Sequence, residues 1–270
     1  MEAEPGAAIL AGGTDLLVQY QGGMRRPAAF LDIKRIPELM RIAADGDGVT
    51  IGAAVPAADI VGHPAVRASW PGLVEGASLI GSTQIQSRGS LGGNLCNGSP
   101  AADSTCALLV NDAVAIIAGR GGERRIPVAD LLAGPGKTTL APGELLVAIR
   151  LQNPPAHSAD AYQRLIPRTE MDIAVAGVAV RLTLDQAGVC TAARVAIGAV
   201  APTARLVDAA GAALVGSTLD AAALERAASA ASAAAQPITD KRGSVDYRRT
   251  VVGVLTRRVA AVAAARAKER

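Results

Sequence analysis

Gly89 to Asp103 reads GSLGGNLCNGSPAAD, with four glycines, two asparagines, two serines and one proline in fifteen residues. Upstream, Ile9 to Leu17 reads ILAGGTDLL, where apolar residues lead into a Gly-Gly pair, two hydrogen-bonding side chains and leucine. A diglycine turn lets backbone N–H groups approach a ligand with no Cβ in the way, and it tolerates positive φ. Several such amides pointing inward make a concavity that holds an anion. One such turn alone is only a tight turn. Two facing elbows are expected to grip both phosphates of a diphosphate, with Thr14, Asp15, Ser90 and Asn94 adding side-chain bonds. A hydrogen bond to a charged group contributes about 1.5–3 kcal/mol, so roughly four to six of them retain a ligand despite the cost of immobilising it. Neither elbow contains Lys or Arg, so backbone dipoles are expected to carry the charge.

Competing phosphate motifs fail on spacing. No G-x-G-x-x-G opens a helix, which excludes a Rossmann site. LLAGPGKTTL contains Gly136-Lys137-Thr138, but Leu131 stands where a P-loop needs its first glycine. The histidines, His63 and His157, sit beside a proline and in a linker, and suit surface positions better than catalytic bases.

Around the elbows, AAIL and AAFLDI (Ala28 to Ile33) read as short strands, IPELMRIA as a helical turn and DGVTIGAAV as a turn plus strand. Ala57 to Ile80 carries helical spacing broken by Pro64 and Pro71, which predicts two short helices. DSTCALLVND predicts a helix with Asp103 at or near its N-cap. AVAIIA, the GRGGERR turn and ELLVAIRL (Glu144 to Leu151) complete the first part. Gln152 to Asp160, QNPPAHSAD, reads as a linker. Beyond it, two long strands joined at DQAG predict a hairpin, and Ala-rich helices follow to the C-terminus. Two domains are expected, split near residue 155.

The chain has 270 residues, half of them apolar but only 2% aromatic, so its cores must be built from Ala, Val, Leu and Ile. Scarce aromatics leave little for stacking bases, and the net charge of +3 is small, which argues against a nucleic-acid binder. Arg248–Arg249 and Arg257–Arg258 read as the solvated side of an amphipathic helix. No apolar run is long enough for a membrane span, and Met1, Glu2 and Glu4 do not begin a secretory leader. Cys96, Cys106 and Cys190 form no C-x-x-C pair, which points to reduced thiols in a cytoplasm and to no bound metal.

The pair AGGTDLL and GSTQIQSRGSLGGNLCNGSPAAD resembles the FAD-binding medium subunit of molybdenum hydroxylases, the family of xanthine dehydrogenase and the aerobic carbon monoxide dehydrogenases. LLAGPGKTTLAPGELLVAIRL, YQRLIPRTEMDIAVAGVAV, VAIGAVAPTAR and VDYRR extend the resemblance over nearly the whole chain. It implies an α+β fold: a two-part, PCMH-like FAD-binding domain over 1–155, with subdomains of about 1–55 and 56–155, then a smaller α+β domain over 160–270 with an antiparallel sheet and helices. By implication non-covalent FAD lies between the two parts of the first domain. The first elbow then supplies Leu10, Ala11, Gly12, Gly13, Thr14, Asp15 and Leu16. The second supplies Gly89, Ser90, Gly92, Gly93, Asn94, Asn97, Ala102 and Asp103, the last bonding the adenosine or phosphate part. Ile80, Gly81 and Ile85 line the cofactor, and Leu146 lies near one of its ends. Arg164 stands where the family pattern has Lys, with Arg168 and Asp172 serving either an interdomain ion pair or the flavin. The resemblance also implies a strand and helix ahead of the first elbow, for which this sequence has no counterpart.

The isoalloxazine carries the redox chemistry in such a protein, so no catalytic triad or carboxylate pair is expected. Electrons are expected from [2Fe–2S] clusters of a small subunit, fed by a molybdopterin-bearing large subunit, in a dimer of heterotrimers; NAD, oxygen or a quinone takes them. Two rivals remain at this level: a stand-alone flavin oxidase, and a non-redox nucleotide-binding scaffold.

Overall fold

The computed structural model describes residues 6–270. The N-terminal residues considered above for a leader, Met1, Glu2 and Glu4, lie outside that range. The chain opens with β1 (Ala7–Leu10), α1 (Leu16–Gln21) and β2 (Ala29–Asp32), the two strands pairing in parallel with Ala7 opposite Ala29. A parallel pair needs a crossover, and α1 supplies it. Phe30 and Leu31 of β2 are exposed, and Phe30 meets Tyr20 edge-on at 5.3 Å.

A 3-10 turn at Pro37–Met40 leads to β3 (Ile42–Asp45) and β4 (Gly48–Gly52). Five short helices follow: α2 (Ala57–Gly62), α3 (Pro64–Ser69), α4 (Pro71–Ser78), α5 (Thr83–Gln86) and α6 (Leu91–Asn97). Three helices, not two, therefore occupy 57–80. Pro64 and Pro71 each open a new helix at its first turn, where the missing N–H costs nothing. The buried helix α7 (Asp103–Val110) has Ala102 at its N-cap and Asp103 as its first residue.

Then come β5 (Val114–Gly119), β6 (Gly122–Pro127), α8 (Val128–Leu131), the small hairpin β7 (Leu132–Gly134) and β8 (Lys137–Thr138), and β9 (Leu145–Gln152). The Gly136-Lys137-Thr138 run thus forms a hairpin with no helix behind it. Strands β3-β4-β9-β5-β6 form one antiparallel sheet with β9 at its centre. Val49, Ile51, Ile117, Ile149 and Leu151 pack its inner face against Trp70, Leu73 and Leu108.

Only 153–157 connects this unit to the next, because Ser158, Ala159 and Asp160 already belong to β10 (Ser158–Leu165). The expected linker is thus shorter, and its last three residues are buried strand. Strands β10, β11 (Ala176–Leu184), β12 (Cys190–Gly198) and β13 (Arg205–Leu206) form a second antiparallel sheet in that order. α9 (Asp208–Ala212), α10 (Ala221–Ala234) and α11 (Val245–Lys268) pack on it. Small residues let the long helices approach closely: a Cβ on Gly253 of α11 would stand 2.6 Å from Ser232 Oγ of α10. β10 is buried between α11 on one side and α4 of the first unit on the other.

Candidate functional site

A cavity of about 350 Å³ lies between the β1–α1 turn and the helix α6. Its shape follows from the glycines. Gly13 adopts φ +80°, the left-handed conformation that turns the chain from β1 toward α1. A Cβ on Gly12 would stand 2.0 Å from the Arg88 carbonyl oxygen, so the two elbows meet backbone on backbone. From behind, Lys34 Nζ donates to the Ala11 carbonyl at 2.8 Å and fixes the first elbow in place. Among the described residues, the amides of Gly12, Gly13 and Thr14 have no acceptor.

The second elbow differs from the sequence expectation. Gly92 and Gly93 are not a turn but the first coil of α6, and Ser90 is its N-cap, with Oγ accepting from Gly93 N at 3.0 Å. The Gly93 amide is therefore satisfied internally. What glycine provides here is space. A Cβ on Gly92 would stand 2.4 Å from the Ala53 carbonyl, so α6 lies flush on the sheet end. A Cβ on Gly93 would touch only Ser90 Oγ, at 3.2 Å, and would otherwise project into the cavity.

Of the residues expected at the site, Ala11, Gly12, Gly13, Thr14, Asp15 and Leu16 form one wall. Ile80, Gly89, Ser90, Gly92 and Gly93 form the opposite one, with Asn94, Asn97 and Leu146 further along. Asn94 Oδ1 accepts from Ser104 Oγ at 2.7 Å, and Asn97 Oδ1 accepts from Gln19 Nε2 at 3.1 Å. Desolvation holds the Asp15 carboxyl above the usual carboxylate range. Part of the cavity lining is apolar, supplied by Ile9, Ile33, Leu140 and Leu145.

Six expected residues stand off the cavity wall. Leu10 packs behind the elbow, its Cδ1 2.9 Å from where a Gly13 Cβ would lie. Gly81 (φ +59°) and Ile85 crowd each other at the turn into α5. Ala102 is the buried cap of α7. Asp103 and Arg164 are turned toward each other between the domains: one Asp103 oxygen pairs with Arg164, and the other accepts from the Tyr162 hydroxyl at 2.8 Å. Both Asp103 oxygens are thus engaged by residues of β10, and Asp103 stands off the cavity wall. Burial pushes its carboxyl up to about 6, against the opposing pull of Arg164 and Tyr162. Asp172 bonds Arg242 at 3.0 Å and lies 3.8 Å from Arg168, an ion cluster within the second domain and not between domains.

Four polar lining groups escape the sequence reading: Gln19, Arg25, Cys96 and Glu144. Arg25 reaches the cavity from beyond α1, so a cation does stand on the wall. Glu144 is clamped by Arg124 at 2.6 and 2.7 Å, and that pairing holds its carboxyl down to about 2. Among the described residues, no three His, Cys, Asp or Glu side chains are placed to hold a metal ion, and no helix is long and apolar enough to cross a membrane.

Two α+β units, the first closing a donor-lined, partly apolar cavity between one glycine elbow and the glycine-bearing first coil of α6, define a holder for a diphosphate-bearing cofactor. Residues 1–154 match the FAD binding domain in molybdopterin dehydrogenase, and residues 161–263 match the CO dehydrogenase flavoprotein C-terminal domain. The chain is 36% identical to the carbon monoxide dehydrogenase medium chain of Afipia carboxidovorans over 97% of its own length and 90% of that protein's. It is 32% identical to a putative xanthine dehydrogenase FAD-binding subunit of Escherichia coli, with 97% and 90% covered. Its fold superimposes on carbon monoxide dehydrogenase from Hydrogenophaga pseudoflava with a TM-score of 0.92, at 36% identity over 96% of this chain and 90% of that one. Quinoline 2-oxidoreductase from Pseudomonas putida gives a TM-score of 0.92 at 29% identity, over 99% and 92%. The chain belongs to the FAD-binding subunits of the molybdenum hydroxylases, a family of oxidoreductases. The residues present fit FAD: Gly12, Gly13 and Thr14, whose amides have no acceptor among the described residues, line the cavity, and a side chain at Gly93 would enter it.

Proposed function

We propose that this chain is the electron-relay subunit of a three-subunit dehydrogenase, with its FAD diphosphate held between the elbows. Electrons reach it from [2Fe–2S] clusters of an iron–sulfur small subunit, fed by a molybdopterin-bearing large subunit, and leave to NAD, oxygen or a quinone. The observation that carries this reading is the backbone contact of Gly12 on Arg88–Gly89, which brings both elbows to one cavity. When bound, the flavin supplies the step between single-electron clusters and a two-electron acceptor. The chain's own residues hold it. Amides of Gly12, Gly13 and Thr14, with the side chains of Asn94, Asn97 and Arg25, would hold the diphosphate by donating to it. Ile9, Ile33, Leu140 and Leu145 exclude water from the apolar part of the lining. No acid–base group is needed on this chain for that task.

The reading includes a domain division near residue 155, an assembly with two copies of each subunit, and a cytoplasmic setting, which the three unpaired thiols suit. Purification from the native host tests it. A yellow complex that retains iron–sulfur and molybdenum subunits is expected. A chain that stays colourless with added FAD overturns the reading, and flavin left on the acid-precipitated chain would favour a covalent flavin oxidase.

A further inference from the structure

Asn94 and Asn97 stand one turn apart on α6, and both line the cavity. Each carboxamide is already held by its oxygen. Asn94 Oδ1 accepts from Ser104 Oγ, and Asn97 Oδ1 accepts from Gln19 Nε2. A planar amide carries its acceptor on one side and its two donors on the other. Fixing the oxygen toward Ser104 therefore turns Nδ2 the opposite way. Neither Nδ2 has a partner among the described residues.

We propose that Ser104, which does not touch the cavity, is a positioning residue that holds the Asn94 carboxamide with its donor side toward the FAD diphosphate. The hydroxyl is suited to this role by where it sits. Ser104 is fully buried in the first turn of α7, so it cannot turn to water. Its neighbour Asp103 is anchored by Tyr162 and Arg164, which fixes that turn of helix against the second domain. Without Ser104 the Asn94 amide is free to rotate, and ordering it with its donors toward the phosphate falls to the ligand at a cost in affinity. Gln19 does the same for Asn97 from the opposite wall. Backbone donors at the first elbow thus face side-chain donors of fixed sense on α6.

This inference rests on the cavity being the FAD site, and the test separates the two. FAD is titrated into the full-length apo chain by quenching of flavin fluorescence. Ser104→Ala is expected to weaken FAD about tenfold, the loss of one charge-directed hydrogen bond. Asn94→Ala is expected to lose about as much, and the double variant no more than Asn94→Ala alone. Asn94→Asp keeps an acceptor for Ser104 but places an oxygen before the phosphates, and is expected to bind about tenfold more weakly than Asn94→Ala. Losses that add in the double variant, unchanged affinity in Ser104→Ala, or Asn94→Asp binding like Asn94→Ala would each overturn the proposal. Should Ser104→Ala fail to fold, Ser104→Cys, which keeps the side-chain shape but donates weakly, takes its place with the same expected loss and the same overturning result. Wild-type chain that takes up no FAD overturns the cavity assignment as well.

Discussion

Gly93 is the position where one atom separates an open cavity from a filled one. Because a Cβ there would meet only Ser90 Oγ at 3.2 Å, Gly93→Val leaves the fold intact and projects its branches into the ligand space. FAD affinity is expected to fall about 100-fold, with an unchanged far-ultraviolet spectrum; undiminished flavin content in the variant would refute the placement. Gly12 behaves differently. Any side chain there collides with the Arg88 carbonyl, so Gly12→Ala is expected to disrupt the elbow itself and lower the thermal midpoint with or without FAD. Asp103 gives a third prediction, in pH. Its carboxyl is pushed up to about 6 in the folded chain from an ordinary value of 3.8. The native state therefore binds more protons than the unfolded state between those values. The contribution is fully present below pH 3.8 and is lost as pH rises through about 6. In urea titrations the wild-type midpoint should fall relative to Asp103→Asn as pH rises through that window. A gap between the two that stays constant across it would remove burial as the cause.

Among the elements, those with an uninterrupted or alternating apolar pattern could be read from the sequence. AVAIIA and ELLVAIRL, as β5 and β9, fill the first sheet, and the β11–β12 hairpin turns at DQAG as its pattern implies. β10 could not be read, because its polar residues are satisfied by partners far along the chain. Asp160 accepts from Gly72 N at 2.9 Å and from Asn111 Nδ2 at 2.6 Å, and the Tyr162 amide donates to Glu75 at 2.8 Å. In the sequence such residues look like a linker. In the fold they bridge two units. α6 was hidden for a different reason: its glycines are there for close approach to Ala53 and for an open cavity wall, whereas glycine pairs ordinarily signal a turn. Arg25 was missed because α1 and the turn after it carry it back toward the elbow. The role of Asp160 is testable. Its carboxylate caps the first turn of α4 from another domain, where the local cap residue, Trp70, offers no side-chain bond. Asp160→Ala orphans the Gly72 amide in a buried site and leaves Asn111 Nδ2 only its bond to the Ala107 carbonyl, and about 1–3 kcal/mol of stability should be lost by chemical denaturation. A loss under half a kcal/mol, as for an ordinary surface substitution, would show the cap to be dispensable.

At the scale of the whole molecule, the first domain holds the cavity while the second grips it from behind. Several polar links cross between them, among them Asp103 with Tyr162 and Arg164, Asp160 with Gly72 and Asn111, Glu75 with Arg266 and the Tyr162 amide, and Asp112 with Arg194. Arg266 comes from the last turn of α11, so the C-terminal helix reaches back to α4. A further side chain there, Arg270, donates to the Ser69 carbonyl at 3.1 Å. β10 is the shared element, with its faces against α4 and α11. Neither unit can lose β10 without exposing its own core, so the two are coupled and should melt as one in calorimetry. Glu75→Ala removes the carboxylate shared by Arg266 and the Tyr162 amide, leaving Arg266 only the Asp160 carbonyl, while the cavity wall is untouched. That variant should show two transitions. Added FAD should then raise only the one belonging to the first domain, since a ligand stabilises the unit that binds it. Two transitions already in the wild-type chain, or FAD moving both transitions of the variant equally, would mean that the cavity and the interface are not arranged as described.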